Sequence, residues 1–435
     1  MSHDEGEEEQ RRLSLRWETK HHWPELRKEF GVSKTGAAMI LSLVTADGHW
    51  LRYSRNKEFY ALPRRYRNPL FTYRRVTGAA DYLAAQGLIY HSKSEPGQRG
   101  WQSSMMATPE LVTRTTQIIE AGPPLVLAKP PEVIILRGAD RMAIDYAETR
   151  FTRKVRDEME KINDSISSIQ MEGCANASLR RIFNVNFTRG GRMYADGGAW
   201  QTMPKLDRLK IRIANEPVVE VDYSTLHPAL LYAEVGKYAP ADTYLIDGWP
   251  RKLTKVALNT LINAPNIHSA RLAIANSEPI EEIAQPGSQE AIRAASKLIL
   301  AIKKVHRPIA QFFHSGKGLE LQRRDSDMAV KVMLLLRMAK IDVLPIHDSF
   351  LVPASKADAL EEMMWEVACD IGLDAFNKKI RANLETHSAS SATREENEIR
   401  NRIQTTHTVK RLETNTLAEK ELMSPGQLVS RDPTQ

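Results

Sequence analysis

Two short apolar runs each carry an aspartate to their end: Val219-Glu220-Val221-Asp222-Tyr223-Ser224 and Ile346-His347-Asp348-Ser349-Phe350-Leu351. Two carboxylates brought together at strand ends can share a pair of divalent metal ions. Ions held about 3.5–4 Å apart support phosphoryl transfer. Each aspartate also has a plainer reading on its own: Asp222 as a surface residue or helix cap, Asp348 as a turn residue in a hairpin. Yet placing a carboxylate in a stretch as apolar as residues 343–352 costs stability unless something positive pairs with it, and a metal ion would. Between them in the chain, Arg251, Lys255 and Asn259 repeat every four residues, which puts them in one stripe of a helix. Alone, that stripe could be a solvated basic face. Beside two carboxylates it suits a triphosphate, whose charge needs neutralising.

The elements that must position these groups are legible. Pro217–Val221 reads as a strand by its β-branched run, and Leu226, Leu230 and Leu231 follow with helical spacing. Residues 343–352 read as strand, tight turn, strand, with His347 and Asp348 at the turn. Pro250 fits the first turn of the cationic helix, Pro265 blocks its continuation, and Leu253, Val256, Ala257 and Leu261 give it packing surfaces.

The whole chain has 435 residues, a 42% hydrophobic fraction, a net charge of +7 and a pI near 9.2. It is long enough for two or three domains with real cores. The basic balance favours an anionic partner such as nucleic acid, with dense clusters at Arg64-Arg65-Tyr66-Arg67, Arg74-Arg75, Arg180-Arg181 and Arg323-Arg324; each of these could equally be an ordinary solvated face. No apolar run is long enough to span a bilayer. The acidic opening Met1–Glu9 does not read as a signal peptide. Cys174 and Cys369 suggest neither a disulfide framework nor a zinc cluster. An intracellular protein is the expectation.

Residues 1–12 are expected to be disordered. Residues 13–122 read as a compact, mostly helical unit. Ser33 caps a helix from Lys34 toward Leu43, a second helix runs from Phe71 to Ala85 and ends at Gly87, and Leu88–His91 and Gln102–Ala107 flank a turn at Glu95–Gly100. Helix, strand, glycine turn and returning strand outline a winged helix. Its helix would carry Tyr73, Arg74, Arg75 and Thr77 near phosphates and base edges, unless the unit only packs or binds protein. Residues 123–183 read as a proline-rich connector followed by a long polar helix over 140–170. Residues 184–385 alternate strands and helices. The tail, 386–435, is expected to be disordered.

Order and wording together resemble the palm and fingers of family A DNA polymerases and the related single-subunit phage-type RNA polymerases. Asp222-Tyr223-Ser224 is similar to the first palm motif, Arg251–Lys255 with Asn259-Thr260-Leu261 to the fingers helix, and His347-Asp348-Ser349-Phe350 to the last palm motif as the RNA polymerases have it. Gly191-Arg192-Met193 with Trp200–Pro204 resembles the stretch before the first motif, and Leu321-Gln322 with Asp325–Met333 resembles the helix before the last one. The resemblance spans roughly residues 185–370.

The resemblance implies an α+β fold: a polymerase palm with a small antiparallel sheet and helical fingers, preceded by the winged-helix-like domain. It implies that Asp222, Asp348 and the Tyr223 carbonyl hold Mg²⁺ or Mn²⁺, and that Asp222 and Asp348 lie on adjacent strands. Asp222, Asp348 and Lys255 would be the catalytic residues, Lys255 neutralising the triphosphate and protonating pyrophosphate; Arg251 would grip the outer phosphate, and Asn259, His227 and Tyr223 would line the nucleotide. Arg192, Gln201, Gln322 and His347 would hold the primer–template end. The expected partners are DNA primer–template and nucleoside triphosphates, with no membrane, in a monomer. The expected setting is the cytoplasm, with a bacterial, phage or mobile-element origin.

Departures from the family concern the sugar: asparagine at 259 and 263 where an aromatic is usual, His227 in place of a sugar-screening glutamate, and Ser349 in place of a second acid. The fingers look short and no proofreading exonuclease is recognisable. The leading expectation is a DNA-dependent DNA polymerase or primase-polymerase. A single-subunit RNA polymerase, a catalytically inactive DNA-binding replication or regulatory protein, and a two-metal nuclease are the alternatives.

Overall fold

The computed structural model describes residues 11–18, 20–94, 102–197, 199–223 and 225–373. It is an α+β chain with small, mostly antiparallel sheets. Its contacts divide it into two units. The described residues of one fall within Met1–Arg181 and Tyr194–Pro217, those of the other within Ile182–Met193 and Val218–Asn415.

The first unit opens with β1 (Arg11–Arg12), α1 (Trp23–Phe30), α2 (Lys34–Val44) and β2 (Leu51–Tyr53). Residues 1–10 lie outside the described residues. Contrary to the expected disorder through residue 12, Arg11–Arg12 pair in parallel with Leu51–Arg52, because Leu13 next to them is buried and donates to the Arg52 carbonyl. Ser33 accepts from the Gly36 N–H and so satisfies one of the orphan donors of α2. α2 is buried along most of its length and packs against α1, α3 (Tyr73–Ala85) and β4 (Ser103–Ala107). Leu26, Ile40, Leu41, Val76, Leu83 and Leu111 lie at its core. Each such side chain contributes about 1.5–3 kcal/mol by leaving water. Gly87, in a left-handed conformation (φ +69°), closes α3. β3 (Ile89–Ser92) then pairs with β4 from Ile89↔Ala107 to Ser92↔Ser104. The turn expected at 95–100 lies outside the described residues.

α4 (Pro109–Ala121) leads into the proline-rich connector. That connector is fastened within this unit: Leu127 bridges Trp17, and Glu18 and Ala128 exchange backbone hydrogen bonds with Val126 and Arg16. The long helix begins ten residues later than expected. Residues 140–149 instead hold β6 (Ala143–Ile144), which folds back on β5 (Ile134–Arg137). α5 (Arg150–Ser168) starts where Thr149 and Thr152 form a reciprocal capping box. It is amphipathic rather than simply polar, burying Val155, Met159, Ile162 and Ile166. Arg65, one of the apparent basic-patch residues, is engaged internally by Glu132, Asp145 and Glu148. Then come β7 (Met171–Glu172), β8 (Leu179–Asn184), β9 (Asn186–Ala195), α6 (Ala199–Thr202), α7 (Lys205–Arg208) and β10 (Arg212–Ile213), which pairs with β7 and with the first residues of β11 (Glu216–Asp222).

In the second unit, β11 pairs antiparallel with β13 (Ser349–Pro353) from Val218↔Pro353 to Asp222↔Ser349, and β13 pairs with β12 (Leu344–Ile346). The helices are α8 (Leu226–Glu234), α9 (Arg251–Asn263), α10 (Ile267–Ala275), α11 (Gln289–Val305), α12 (Lys317–Met338) and α13 (Ala357–Cys369). α12 is the hub, packing against α8, α9 and α13, while α13 also packs on β13. No helix among the described residues is long and apolar enough to cross a membrane. Neither Cys174 nor Cys369 is in a disulfide. The tail, 386–435, lies outside the described residues.

Candidate active site

β11 ends at Asp222 and β13 begins at Ser349, and these two residues are direct partners in the ladder. One step on, the Tyr223 N–H donates to the Asp348 carbonyl (3.4 Å). The two aspartates are thus neighbours where the sheet ends, Asp222 as the last residue of β11 and Asp348 in the turn just before β13 rather than on the strand itself. Asp348 is 5% exposed and Asp222 half-buried. His347 and Asp348 form the two-residue turn between β12 and β13, and His347 sits in the left-handed region (φ +58°) without being glycine or asparagine. That conformation costs on the order of 1 kcal/mol.

Tyr223 is buried and donates its hydroxyl to the Met364 carbonyl of α13 (2.6 Å). Burial pushes its phenol well above the ordinary value, so it stays a neutral donor. This bond ties the end of β11 to α13. Glu220, two residues before Asp222, shares its face of the strand and accepts from the Ser349 hydroxyl (3.0 Å). The structure thus puts a second carboxylate on the Asp222 face of β11, which the sequence reading did not single out. The two-residue spacing from Asp222 was the available signal. Ser224 lies outside the described residues.

The same unit holds a buried ionic cluster. Asp325 of α12 is fully buried and receives the Arg192 guanidinium of β9 (Nη2–Oδ2 2.6 Å, Nε–Oδ1 3.4 Å) and Nε2 of His227 in the first turn of α8 (2.8 Å). Burial drives its carboxyl up, but the Arg192 charge and the His227 hydrogen bond outweigh that and hold it at about 2. Arg192 itself is 7% exposed. The preceding Gly191 is left-handed (φ +87°), and a β-carbon there would come within 2.9 Å of the Phe183 ring, so only glycine fits. The Gly191 carbonyl accepts from the Ser326 hydroxyl of α12. Asp325 was missed as a functional residue, although its spacing with Leu321, Met328 and Val332 puts an acid on the buried stripe of α12.

The cationic helix forms as expected. Arg251, Lys255 and Asn259 lie on α9, with Lys255 9% exposed and Asn259 half-buried. Arg251 forms a two-bond fork with Asp242 (2.6 and 3.0 Å) and stacks over Tyr244. Asp242 is also absent from the sequence reading: it lies in a loop that carries no periodic signal. Asn263 donates to the Asn259 carbonyl (2.9 Å) and abuts Gly318 at the start of α12. Gln322 is half-buried one turn before Asp325. Gln201 belongs to the first unit, where it accepts from the Ala195 N–H (2.8 Å). Arg74 and Arg75 are exposed in the first turn of α3, and Arg75 donates to the Pro69 carbonyl.

The donor set bears on the expected cofactor. Two aspartates and a backbone carbonyl are hard oxygen ligands that suit Mg²⁺ or Mn²⁺. Among the described residues no group of three His, Cys, Asp or Glu side chains could hold a metal ion by itself. Mg²⁺ is commonly bound by one or two carboxylates together with waters and substrate phosphates, so the residues present fit such an ion. A scan of known family models finds none that matches this chain, and a search of curated proteins likewise finds no match.

Proposed function

We propose that the chain is a template-directed nucleotidyltransferase of the polymerase class, a DNA polymerase or primase-polymerase ahead of a single-subunit RNA polymerase. The observation that supports it most is the ladder register, Asp222 opposite Ser349 with Tyr223 hydrogen-bonded to Asp348. Two carboxylates from distant parts of the chain become neighbours at one sheet end, and a helix carrying Arg251 and Lys255 belongs to the same unit.

In this reading Asp222, Asp348 and the Tyr223 carbonyl hold Mg²⁺ or Mn²⁺. Bound divalent ions supply Lewis-acid activation of a primer hydroxyl and neutralise the pyrophosphate. Lys255, buried within α9, neutralises the triphosphate. Arg251 exchanges its Asp242 fork for phosphate oxygens, since a guanidinium fork matches either. Asn259 and His227 border the nucleotide. Gln322, His347 and Arg192 contact the primer–template. In the first unit, α3 with the β3–β4 hairpin has the outline of a winged helix, and Arg74, exposed at the start of α3, is its phosphate contact, with Arg75 beside it. Gln201 is a further duplex contact in this reading.

A DNA-binding protein without catalysis is the second reading, favoured by the exposed Arg74 on a compact helical unit. Triphosphate binding separates the two. Wild-type chain with Mg²⁺ binds a nucleoside triphosphate, and Arg251→Ala and Lys255→Ala each weaken it by about 10- to 100-fold, the worth of a charged hydrogen bond of about 1.5–3 kcal/mol. DNA binding with no triphosphate binding would favour the second reading and also a plain nuclease.

A further inference from the structure

Most of the basic clusters conspicuous in the sequence are engaged internally: Arg65 by three carboxylates, Arg180 by Asp196, Arg323 by Asp327 and Arg324 by Glu234. α11 differs. Arg293, Lys297 and Lys304 are exposed on it, and among the described residues none of the three has an ion-pair or hydrogen-bond partner. With Leu300, 68% exposed, they fall within an arc of about 60° and span about 17 Å of helix axis. Arg307, also exposed, follows just beyond the helix end. The single acid of α11, Glu290, lies in its first turn, where the helix dipole favours it. The opposite face, with Ala291, Ala295, Leu298, Ile299 and Ile302, is buried, and α11 packs against α9 and α10.

We infer that this stripe is a docking track for the phosphate backbone of a single-stranded polynucleotide, and, on the polymerase reading, of the template strand. Charge complementarity selects the partner. Cations spaced about 6 and 10 Å along the axis, on long flexible arms, can each reach a separate phosphate, and such contacts need no base recognition. An anionic membrane is the poorer fit, because the apolar face that would enter lipid is already buried and Leu300 alone remains.

The test is fluorescence anisotropy of a labelled 20-nucleotide oligothymidylate with the full chain, without divalent ions, as a function of salt. Each phosphate contact on a single strand contributes about 0.7 to the slope of log affinity against log salt. Arg293→Ala/Lys297→Ala/Lys304→Ala therefore flattens the slope by about 2 and weakens binding about 50-fold at 0.15 M salt. Lys297→Ala and Lys304→Ala singly give about fourfold each, so the result does not hang on the triple variant folding. Lys237→Ala/Arg337→Ala, two exposed cations elsewhere in the unit, leaves the slope as in wild type. An unchanged slope in the stripe variants, an equal loss in the control pair, or no oligonucleotide binding by wild type overturns the inference. So does a stripe that is needed only for vesicles containing phosphatidylserine. Wild-type chain that binds the oligonucleotide through the stripe yet extends no primer would sink the polymerase reading and leave this one standing.

Discussion

Asp325 is the centre of the second unit's buried ionic cluster, and Asp325→Asn is the perturbation that measures it. Asparagine keeps the shape but removes the charge that faces the buried Arg192 guanidinium. Breaking a buried ion pair from one side costs about 3–5 kcal/mol. At about 2–4 °C per kcal/mol for a unit of 150–250 residues, the melting temperature of that unit drops by roughly 6–20 °C. The pH dependence provides a second, independent number. In the folded chain the Asp325 carboxyl is held at about 2, against an ordinary 3.8. A depressed folded value contributes stability that is fully present above pH 3.8 and is lost as pH falls toward 2. The size is about 2 kcal/mol. Denaturant unfolding of wild type and variant from pH 7 to pH 2 reads both. The gap between them is constant above about pH 4 and narrows by about 2 kcal/mol below it. A gap under about 1 kcal/mol at pH 7, or one that stays flat through the acid window, would refute the reasoning. Replacing Asp325 and Arg192 together by Leu and Met recovers much of the loss, since an apolar pair of similar volume needs no compensation.

Further outcomes follow from single features. His347→Gly relieves about 1 kcal/mol of left-handed strain at the β12–β13 turn but empties the place of a buried imidazole, so thermal denaturation shows a net loss of stability, while primer-end affinity falls if the imidazole contacts the duplex. Thr149→Ala removes half of a capping box and costs about 1 kcal/mol of first-unit stability, read by hydrogen exchange in α5. Tyr223→Phe loses the bond to Met364 and costs about 0.5–1.5 kcal/mol, with a larger loss of divalent-ion affinity than of stability if β11 must be held in register for Asp222.

The sequence carried the site's local elements well because each had its own signal. β-Branched residues marked β11, prolines bounded α9, Ser33 capped α2, and an apolar run interrupted by His347 and Asp348 marked the β12–β13 hairpin. The pairing of β11 with β13 was legible only through the wish to bring two carboxylates together, since no local pattern states which strands meet. What could not be read was set by tertiary partners. Arg65 looks like part of a basic patch until Glu132, Asp145 and Glu148 surround it. Arg192 and His227 look like free ligand contacts until Asp325 takes both. Residues 140–149 look helical by polarity, yet a short strand and the Thr149 cap delay the helix. Charged side chains carry little information about their partners, because the same residue serves a surface, an ion pair or a ligand equally well.

The central claim is most directly tested by extending a primer on a short single-stranded DNA template with Mg²⁺ or Mn²⁺, comparing deoxy- and ribonucleotides, wild type against Asp222→Ala and Asp348→Ala. The account predicts template-directed addition by wild type, loss of more than about a thousandfold in either variant, and near-native melting temperatures for both. Wild-type chain that binds the primed template but adds neither nucleotide would contradict it.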